Sequence, residues 1–173
     1  QKVQFITTVM HEPEFIILDE PFSGFDPINA NLIKGEIKRL SQNGTTIMLS
    51  THDMGSVEQI CSHIGLINNA KKMLEGPIGV VRERYKEHIY ELEFKGDMIS
   101  FTNALWTNFE LIEHSPKGQN QMAKIKLLNN STVNDLLTRV IPVVEVHAVN
   151  EVIPTMNEIF IKVVENRLKH EQN

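Results

Sequence analysis

Two short apolar runs near the start of the chain predict neighbouring buried strands. Residues 15–18 are four apolar residues in succession, and residues 45–50 contain a second run. A strand of a parallel sheet that is covered on both faces shows a continuous run rather than alternation. Between the runs, apolar residues recur at helical spacing after Asp26-Pro27, a pair typical of a helix start. The pattern predicts a strand-helix-strand unit with parallel strands.

The segments on either side of this unit complete the first predicted domain. Val3, Ile6 and Val9 lie on one face of a predicted helix that ends before Pro13. After the unit, a short helix is predicted over residues 54–61, followed by strands at 64–67 and 72–74. A boundary follows near Gly76, so the predicted domains are residues 1–78 and 79–173.

The second domain has its own rhythm of apolar positions. A linking helix is predicted over residues 80–86, and a final helix follows the last strand. Between them, the pattern predicts a strand at 89–94, a helix at 99–109 that includes Trp106, strands at 110–114 and 122–128, a helix at 132–140 and a strand at 143–149. The order is βαββαβ, which matches the ferredoxin-like split βαβ motif.

Composition narrows the class of protein. With 41% hydrophobic and 23% charged residues, the 173-residue chain has the composition of an ordinary globular protein. A formal net charge of -5 argues against a nucleic-acid partner, which would select a basic face. The single cysteine excludes an intramolecular disulfide framework, and no apolar run has the roughly 20 residues that span a bilayer.

Candidate chemistry lies where the two predicted strands end. Asp19 and Glu20 follow the first strand, and His52 follows the second. Ligands of open α/β sheets bind outside the carboxyl ends of the strands, which favours a site here. Each feature also has a plainer interpretation, because an Asp-Glu pair can be a solvated turn and a histidine after a strand is often a surface residue.

The same residues resemble motifs of the ATP-binding cassette (ABC) ATPases. Phe15 to Pro21 is similar to the Walker B motif, and Ser23-Gly24-Phe25-Asp26 to the D-loop, with Phe25 in place of the usual Leu. Residues 46–53 resemble the next core strand and the switch histidine of that family. The resemblance implies an α/β fold: a partial P-loop NTPase parallel sheet, followed by the small α+β ferredoxin-like domain.

The resemblance also implies roles for individual residues. Asp19 would serve Mg²⁺, Glu20 would orient and polarise the attacking water, and His52 would contact the γ-phosphate of ATP. Ser23, Gly24 and Asp26 would lie at a dimer interface that encloses ATP. The implied partners are a transmembrane permease and a second nucleotide-binding domain, with the protein on the cytoplasmic face of the membrane.

Two further motifs of the family bear on how much of a cassette this chain contains. The P-loop pattern Gly-x-x-x-x-Gly-Lys followed by Ser or Thr does not occur, nor does the signature sequence. The ending Pro154 to Phe160 resembles the tail of bacterial export-type ABC ATPases. We therefore expect a carboxy-terminal part of a longer parent protein, without ATPase activity of its own.

Two other functions stay open from the sequence. The second domain could be a regulatory or dimerisation module, since fold alone assigns no role. The parent could also be a soluble ABC ATPase without a permease. Such proteins usually carry two cassettes or long coiled-coil insertions, and neither is visible here.

Overall fold

The computed structural model describes the backbone of residues 2–171 and the side chains of residues 2–167. Residue 1, where the first predicted domain begins, and residues 172 and 173, where the second ends, lie outside this part. The elements in chain order are α1 (Lys2–Val9), β1 (Phe15–Asp19), α2 (Pro27–Gln42), β2 (Thr46–Ser50), α3 (Met54–Ile60), β3 (His63–Asn68), β4 (Lys71–Pro77), α4 (Ile78–Arg84), β5 (Ile89–Lys95), α5 (Met98–Ala104), β6 (Phe109–Lys117), β7 (Asn120–Leu127), α6 (Val133–Val140), β8 (Glu145–Glu151) and α7 (Met156–Glu171).

The chain divides into two compact units. Unit 1 comprises residues 1–81 together with 155–173, and unit 2 comprises residues 82–154. The division after Val81 falls close to the predicted boundary between residues 78 and 79. Helix α7, predicted to end the second domain, belongs to unit 1 instead. The last segment of the chain therefore returns to the first unit.

Unit 1 contains the predicted strand-helix-strand arrangement. Strands β1 and β2 pair in parallel, with Phe15 opposite Thr46 and Asp19 opposite Ser50. Helix α2 connects them, and Asp26 caps its start by accepting hydrogen bonds from the backbone N–H groups of residues 28 and 29 at 3.0 and 3.1 Å. Such a side chain satisfies backbone donors that have no partner within the helix. The prediction of a parallel α/β unit is confirmed.

Burial in this parallel sheet is one-sided, contrary to the prediction of a strand covered on both faces. Ile16 is 3% exposed, whereas its neighbours Phe15 and Ile17 are 52% and 67% exposed, and Met48 of β2 is 62% exposed. Helix α2 covers one face with Ile33, Ile37 and Leu40, all buried. Helix α1 contains no buried residue among those described. A continuous apolar run therefore also occurs in a strand that has one exposed face.

The rest of unit 1 is built from a hairpin and two helices. Strands β3 and β4 pair antiparallel, and a turn at Asn69 and Ala70, both at positive φ, joins them. Helix α3 follows β2, and helix α7 packs against it, with Met156 and Ile159 each 1% exposed. None of the helices in the described part of the chain is long and apolar enough to span a membrane.

Unit 2 is an antiparallel sheet with the strand order β6-β7-β5-β8. This order, with α5 after β5 and α6 after β7, is that of the predicted ferredoxin-like βαββαβ motif. Its core includes Leu92, Phe94, Phe101 and Ile125, each 0% exposed. The rings of Phe94 and Phe101 stack with centroids 4.1 Å apart. A strand and a helix therefore meet through closely packed aromatic side chains.

Several element boundaries in unit 2 differ from the prediction, and the largest difference is at the end of α5. Helix α5 ends at Ala104 rather than Phe109, and Trp106 is 69% exposed at φ 50. Phe101, Leu105 and Phe109 are spaced four residues apart and are all buried, which imitates one helix face. Phe109 is instead the first inward residue of β6, where it pairs with Leu127. The shared core, not the local period, explains its burial.

Candidate functional site

The site begins at the carboxyl ends of β1 and β2. Asp19 lies opposite Ser50 in the strand register, and the Ser50 hydroxyl donates a hydrogen bond to Asp19 Oδ1. The backbone N–H of Glu20 donates to the carbonyl oxygen of Ser50 at 2.9 Å, and Glu20 has a φ of 43°. That left-handed conformation is uncommon for a residue other than glycine. It ends β1 and turns the chain at the acidic pair.

Glu20 and His52 are in direct contact. His52 Nδ1 lies 2.7 Å from Glu20 Oε1, and the backbone N–H of His52 donates to the same oxygen at 3.0 Å. The Thr51 hydroxyl donates to Glu20 Oε2 at 3.2 Å. Both carboxylate oxygens therefore accept hydrogen bonds from the residues that follow β2. The fold brings together the carboxylate and the histidine that the sequence placed 32 residues apart.

This contact shifts the pKa of both side chains. The hydrogen bond from His52 lowers the pKa of Glu20, with smaller contributions from the histidine charge and Thr51. The hydrogen bond to Glu20 raises the pKa of His52 above its ordinary range. The Glu20 side chain is 37% exposed and that of His52 is 87% exposed, so water screens the pair. The contact therefore fixes the positions of the two side chains and adds little to the stability of the fold.

The loop after Glu20 holds the other three predicted site residues. The Ser23 backbone N–H donates to the carbonyl oxygen of Glu20 at 3.1 Å, and Gly24 adopts a φ of 72°, which glycine accommodates without strain. Ser23 and Gly24 are exposed. Asp26 is the cap of α2, and hydrogen bonds from Asn29 lower the pKa of its carboxyl group. All three are exposed; Ser23 and Gly24 lie at a tight turn, and Asp26 caps a helix.

A cleft of about 310 Å³ opens beside the acidic pair. Asp19 and Glu20 line it together with Ile17 of β1, Phe25 of the loop and Phe5 of α1. Apolar walls next to carboxylates strengthen electrostatic interactions with a ligand that enters. The cleft therefore presents acidic oxygens in a partly apolar setting.

Comparison with known proteins identifies the family. A family model described as "ATP-binding protein DrrA1-3-like, C-terminal domain" matches residues 76–164, more than half of the chain. The chain belongs to the DrrA1-3-like ATP-binding proteins. The matched residues include all of unit 2 and the first part of α7, and they do not include the acidic pair.

Individual relatives match about half of this DrrA1-3-like chain. An uncharacterised ABC transporter ATP-binding protein of Alkalihalophilus pseudofirmus is 40% identical over 54% of the chain and 35% of its own length. The bacitracin transport ATP-binding protein BcrA of Enterococcus faecalis is 37% identical over 51% of the chain and 29% of its own length. A solved structure described as the ATP-binding subunit of an ABC transporter covers 43% of the chain and 31% of its own, with 28% identity and a TM-score of 0.40.

The family model and the two curated relatives confirm the predicted resemblance to ABC transporter ATP-binding proteins. The DrrA1-3-like chain spans about a third of the length of the curated relatives named above. The activity, substrates and partners of the whole protein are therefore matters for proposal.

The oxygen atoms at the acidic pair of this DrrA1-3-like protein suit Mg²⁺ in kind. Asp19 supplies a carboxylate and Ser50 a hydroxyl, and Mg²⁺ is normally held by one or two carboxylates plus waters and phosphates. Within residues 2–167, no group of three or more His, Cys, Asp or Glu side chains gathers around one point. The donor set fits an ion that is shared with a bound phosphate.

Sequence reasoning missed two residues of this site. Ser50 and Thr51 each bind one of the two acids through a hydroxyl, and the sequence predicted a role for neither. The signal was present in the parallel pairing, because strands in register bring the residues that follow them side by side. Hydroxyl side chains opposite a pair of acids indicate a hydrogen-bonded site rather than a solvated turn.

Proposed function

We propose that this chain supplies the hydrolytic residues of the ATP-binding subunit of an ABC transporter. The observation that carries the proposal is the 2.7 Å contact between Glu20 Oε1 and His52 Nδ1 at the ends of two paired parallel strands. In a solvated acidic turn, the carboxylate would contact water and not the residue that follows the neighbouring strand. Family membership supports the same role, as do one relative named as an ABC transporter ATP-binding protein and another named as a bacitracin transport ATP-binding protein.

Each acid has its own role in this proposal. Asp19, with Ser50 beside it, would hold Mg²⁺, which when bound neutralises charge on the phosphates of ATP. Glu20 would orient the attacking water. Its lowered pKa keeps it ionised at neutral pH but makes it a weak base, so alignment and polarisation of the water fit better than full proton abstraction.

His52 and the loop after Glu20 position the reaction. The ring and backbone N–H of His52 fix the Glu20 carboxylate, and the exposed side of the imidazole would contact the γ-phosphate. Ser23 and Gly24 are exposed and would face a second nucleotide-binding domain across the ATP. Asp26 would keep that loop in place by capping α2.

The assembly we propose is peripheral to a membrane. Two copies of the parent protein would enclose ATP and couple its hydrolysis to a transmembrane permease from the cytoplasmic side. The name of the Enterococcus faecalis relative, a transport protein for bacitracin, supports a transport role. No nucleic-acid partner is proposed, because the formal net charge is -5.

Hydrolysis would require more than the 173 residues of this chain. Phosphate binding in P-loop enzymes depends on backbone N–H groups at a helix start and on a lysine, and no P-loop pattern occurs here. We therefore propose that the purified chain has no ATPase activity. ATP turnover by this chain that Glu20→Gln abolishes would overturn that part of the proposal.

The role of Glu20 is tested in the parent protein. Glu20→Gln keeps the size of the side chain and its hydrogen-bond acceptor but removes the charge, so ATP binding should persist while kcat falls about 10²- to 10⁴-fold. Glu14→Gln is the matched control, because Glu14 is exposed just before the other end of β1. Equal rates for Glu20→Gln and the wild type, or equal losses for both variants, would refute the assignment.

A further inference from the structure

One contact in unit 1 joins residues 98 positions apart in the chain. The backbone N–H of Met156, the first residue of α7, donates a hydrogen bond to Glu58 Oε1 on α3. Helix α7 already has its own cap, in which Thr155 and Glu158 exchange hydrogen bonds of 2.7 to 3.2 Å. Glu58 therefore provides a second acceptor to the start of α7, and it comes from another helix.

The residues around this contact are tightly packed. Met156 and Ile159 of α7 are each 1% exposed, and Ser56 and Val57 of α3 are 1% and 5% exposed. A carboxylate at the start of a helix is favoured because the unpaired N–H groups there carry partial positive charge. Glu58 thus attaches the first turn of α7 to a helix with a buried face.

The other end of α3 leads to the candidate site. The Asp53 carboxylate caps α3 by accepting hydrogen bonds from the backbone N–H and the hydroxyl of Ser56, the former at 3.2 Å. The Asp53 backbone N–H donates to the Thr51 hydroxyl oxygen at 3.1 Å, and that hydroxyl donates to Glu20. His52 lies between these two anchored residues. A continuous set of hydrogen bonds therefore runs from Glu20 through the cap of α3 to the helix that carries Glu58.

We propose that Glu58 is a positioning residue for His52: by binding the first turn of α7, it holds α3 in the place from which the loop 51–53 presents His52 to Glu20. The catalytic consequence rests on the function proposed above, whereas the mechanical link does not. Helix α3 has only seven residues, so it depends on packing and end contacts for its position. Gln59 also ties α3 to α2 by accepting a hydrogen bond from Lys34 Nζ at 2.9 Å, but the Glu58 contact is the side-chain bond that ties α3 to α7, and its loss would let the loop shift.

Amide hydrogen exchange on the full 173-residue chain tests the mechanical link without ATP. Glu58→Ala removes the acceptor for Met156, and we expect exchange at the His52 and Ser56 backbone N–H groups to become about tenfold faster. Glu58→Gln keeps an oxygen that can accept this hydrogen bond and should restore slow exchange. Rates at His52 that Glu58→Ala leaves unchanged would overturn the proposal.

Glu158→Ala is the matched control for damage to α7. It also removes a carboxylate that accepts a backbone N–H at the start of α7, but that carboxylate has no bond to α3. We expect faster exchange at Thr155 and unchanged exchange at His52. If Glu158→Ala accelerated His52 as much as Glu58→Ala does, general loosening of α7 would replace the specific role of Glu58.

Kinetics of the parent protein test the catalytic consequence. A misplaced His52 should lower kcat about tenfold in Glu58→Ala and leave the KM for ATP near the wild-type value, with Glu58→Gln restoring kcat. A raised KM with unchanged kcat would overturn the positioning role. A parent protein whose turnover does not respond to Glu20→Gln would refute the proposed function instead, while the exchange rates would still decide whether Glu58 holds the loop.

Discussion

The two units of the molecule differ in how completely their sheets are covered. In unit 2, a four-stranded sheet carries a closed core in which Leu92, Phe94 and Phe101 are fully buried. In unit 1, a two-stranded parallel sheet leaves Phe15 and Ile17 more than half exposed. Every candidate site residue lies in unit 1. The candidate site is therefore built on the sheet with fewer packing partners.

The difference shows that one chain can separate folding from chemistry. Unit 2 has the elements that a βαββαβ motif needs to bury its own apolar positions. Exposed apolar surface of the kind seen on β1 drives association with further protein. We infer that the candidate site becomes fully formed only when additional protein covers that face of the parallel sheet.

Separating the pieces should produce the largest effect. We expect residues 79–173 to unfold cooperatively as a monomer or a defined dimer, and residues 79–154, which contain all of unit 2, to do the same. Residues 1–78 should remain folded only through self-association or packing against another part of the protein, because they lack α7 and expose the β1 face. Mass measurement and thermal unfolding of the three pieces check this. A monomeric, cooperatively unfolding 1–78 piece would contradict the expectation that only unit 2 folds independently.

A matched pair of phenylalanine substitutions should produce the next largest effect. Phe101 is 0% exposed and stacks on Phe94, so Phe101→Ala should lower the free energy of unfolding of unit 2 by about 3–5 kcal/mol. Phe15 is 52% exposed on β1 of unit 1, so Phe15→Ala should change the free energy of unfolding of unit 1 by less than about 0.5 kcal/mol. Denaturant unfolding of the full chain measures both. Similar losses from the two variants would show that the β1 face is covered in solution.

The smallest expected effect is on the titration of the exposed pair in unit 1. In Glu20→Gln, the pKa of His52 should fall toward its ordinary value of 6.5, because the hydrogen bond to a charged carboxylate is the main cause of its raised pKa. NMR titration of the His52 ring in Glu20→Gln and in the wild-type chain measures this. A pKa of His52 that does not change would mean that the contact is not formed in solution.

The sign of the pH dependence follows from both shifts. Above its ordinary pKa of 4.5, Glu20 contributes fully to the stability of the folded state. This stabilisation is lost as the pH falls through its lowered folded pKa. His52 contributes fully below its ordinary pKa of 6.5, and its contribution is lost as the pH rises through its raised folded pKa. The pair is therefore most stabilising between these two ordinary values. Its exposure keeps the contribution to stability small.

Local sequence signals predicted much of the fold. The Asp26-Pro27 start of α2 and the two apolar runs predicted the parallel unit, and the alternation of strands and helices predicted the order of unit 2. Capping patterns are equally informative, since the Thr-x-x-Asp spacing of Thr132 and Asp135 in the sequence corresponds to a reciprocal cap at the start of α6. These features depend on residues close together in the chain.

The features that the sequence did not predict depend on distant partners. The end of α5 before Trp106 was missed because Phe109 continues the helical spacing while it packs as a strand residue. The return of α7 to unit 1 depends on its packing against α3, where Met156 meets Glu58 across 98 positions. The exposed face of β1 could not be inferred from an apolar run, which looks the same whether a strand is covered on one face or two.

We propose that Glu20 and His52 act as one unit in ATP hydrolysis, and a double-mutant cycle in the parent protein is the sharpest test. The kcat of ATP hydrolysis would be measured for Glu20→Gln, His52→Ala and the double variant. Because His52 acts mainly through the Glu20 carboxylate and adds its own contact with the γ-phosphate, we expect the second substitution to slow Glu20→Gln by much less than His52→Ala slows the wild type. Losses that multiply, so that the double variant is slower by the product of the two single effects, would contradict the claim.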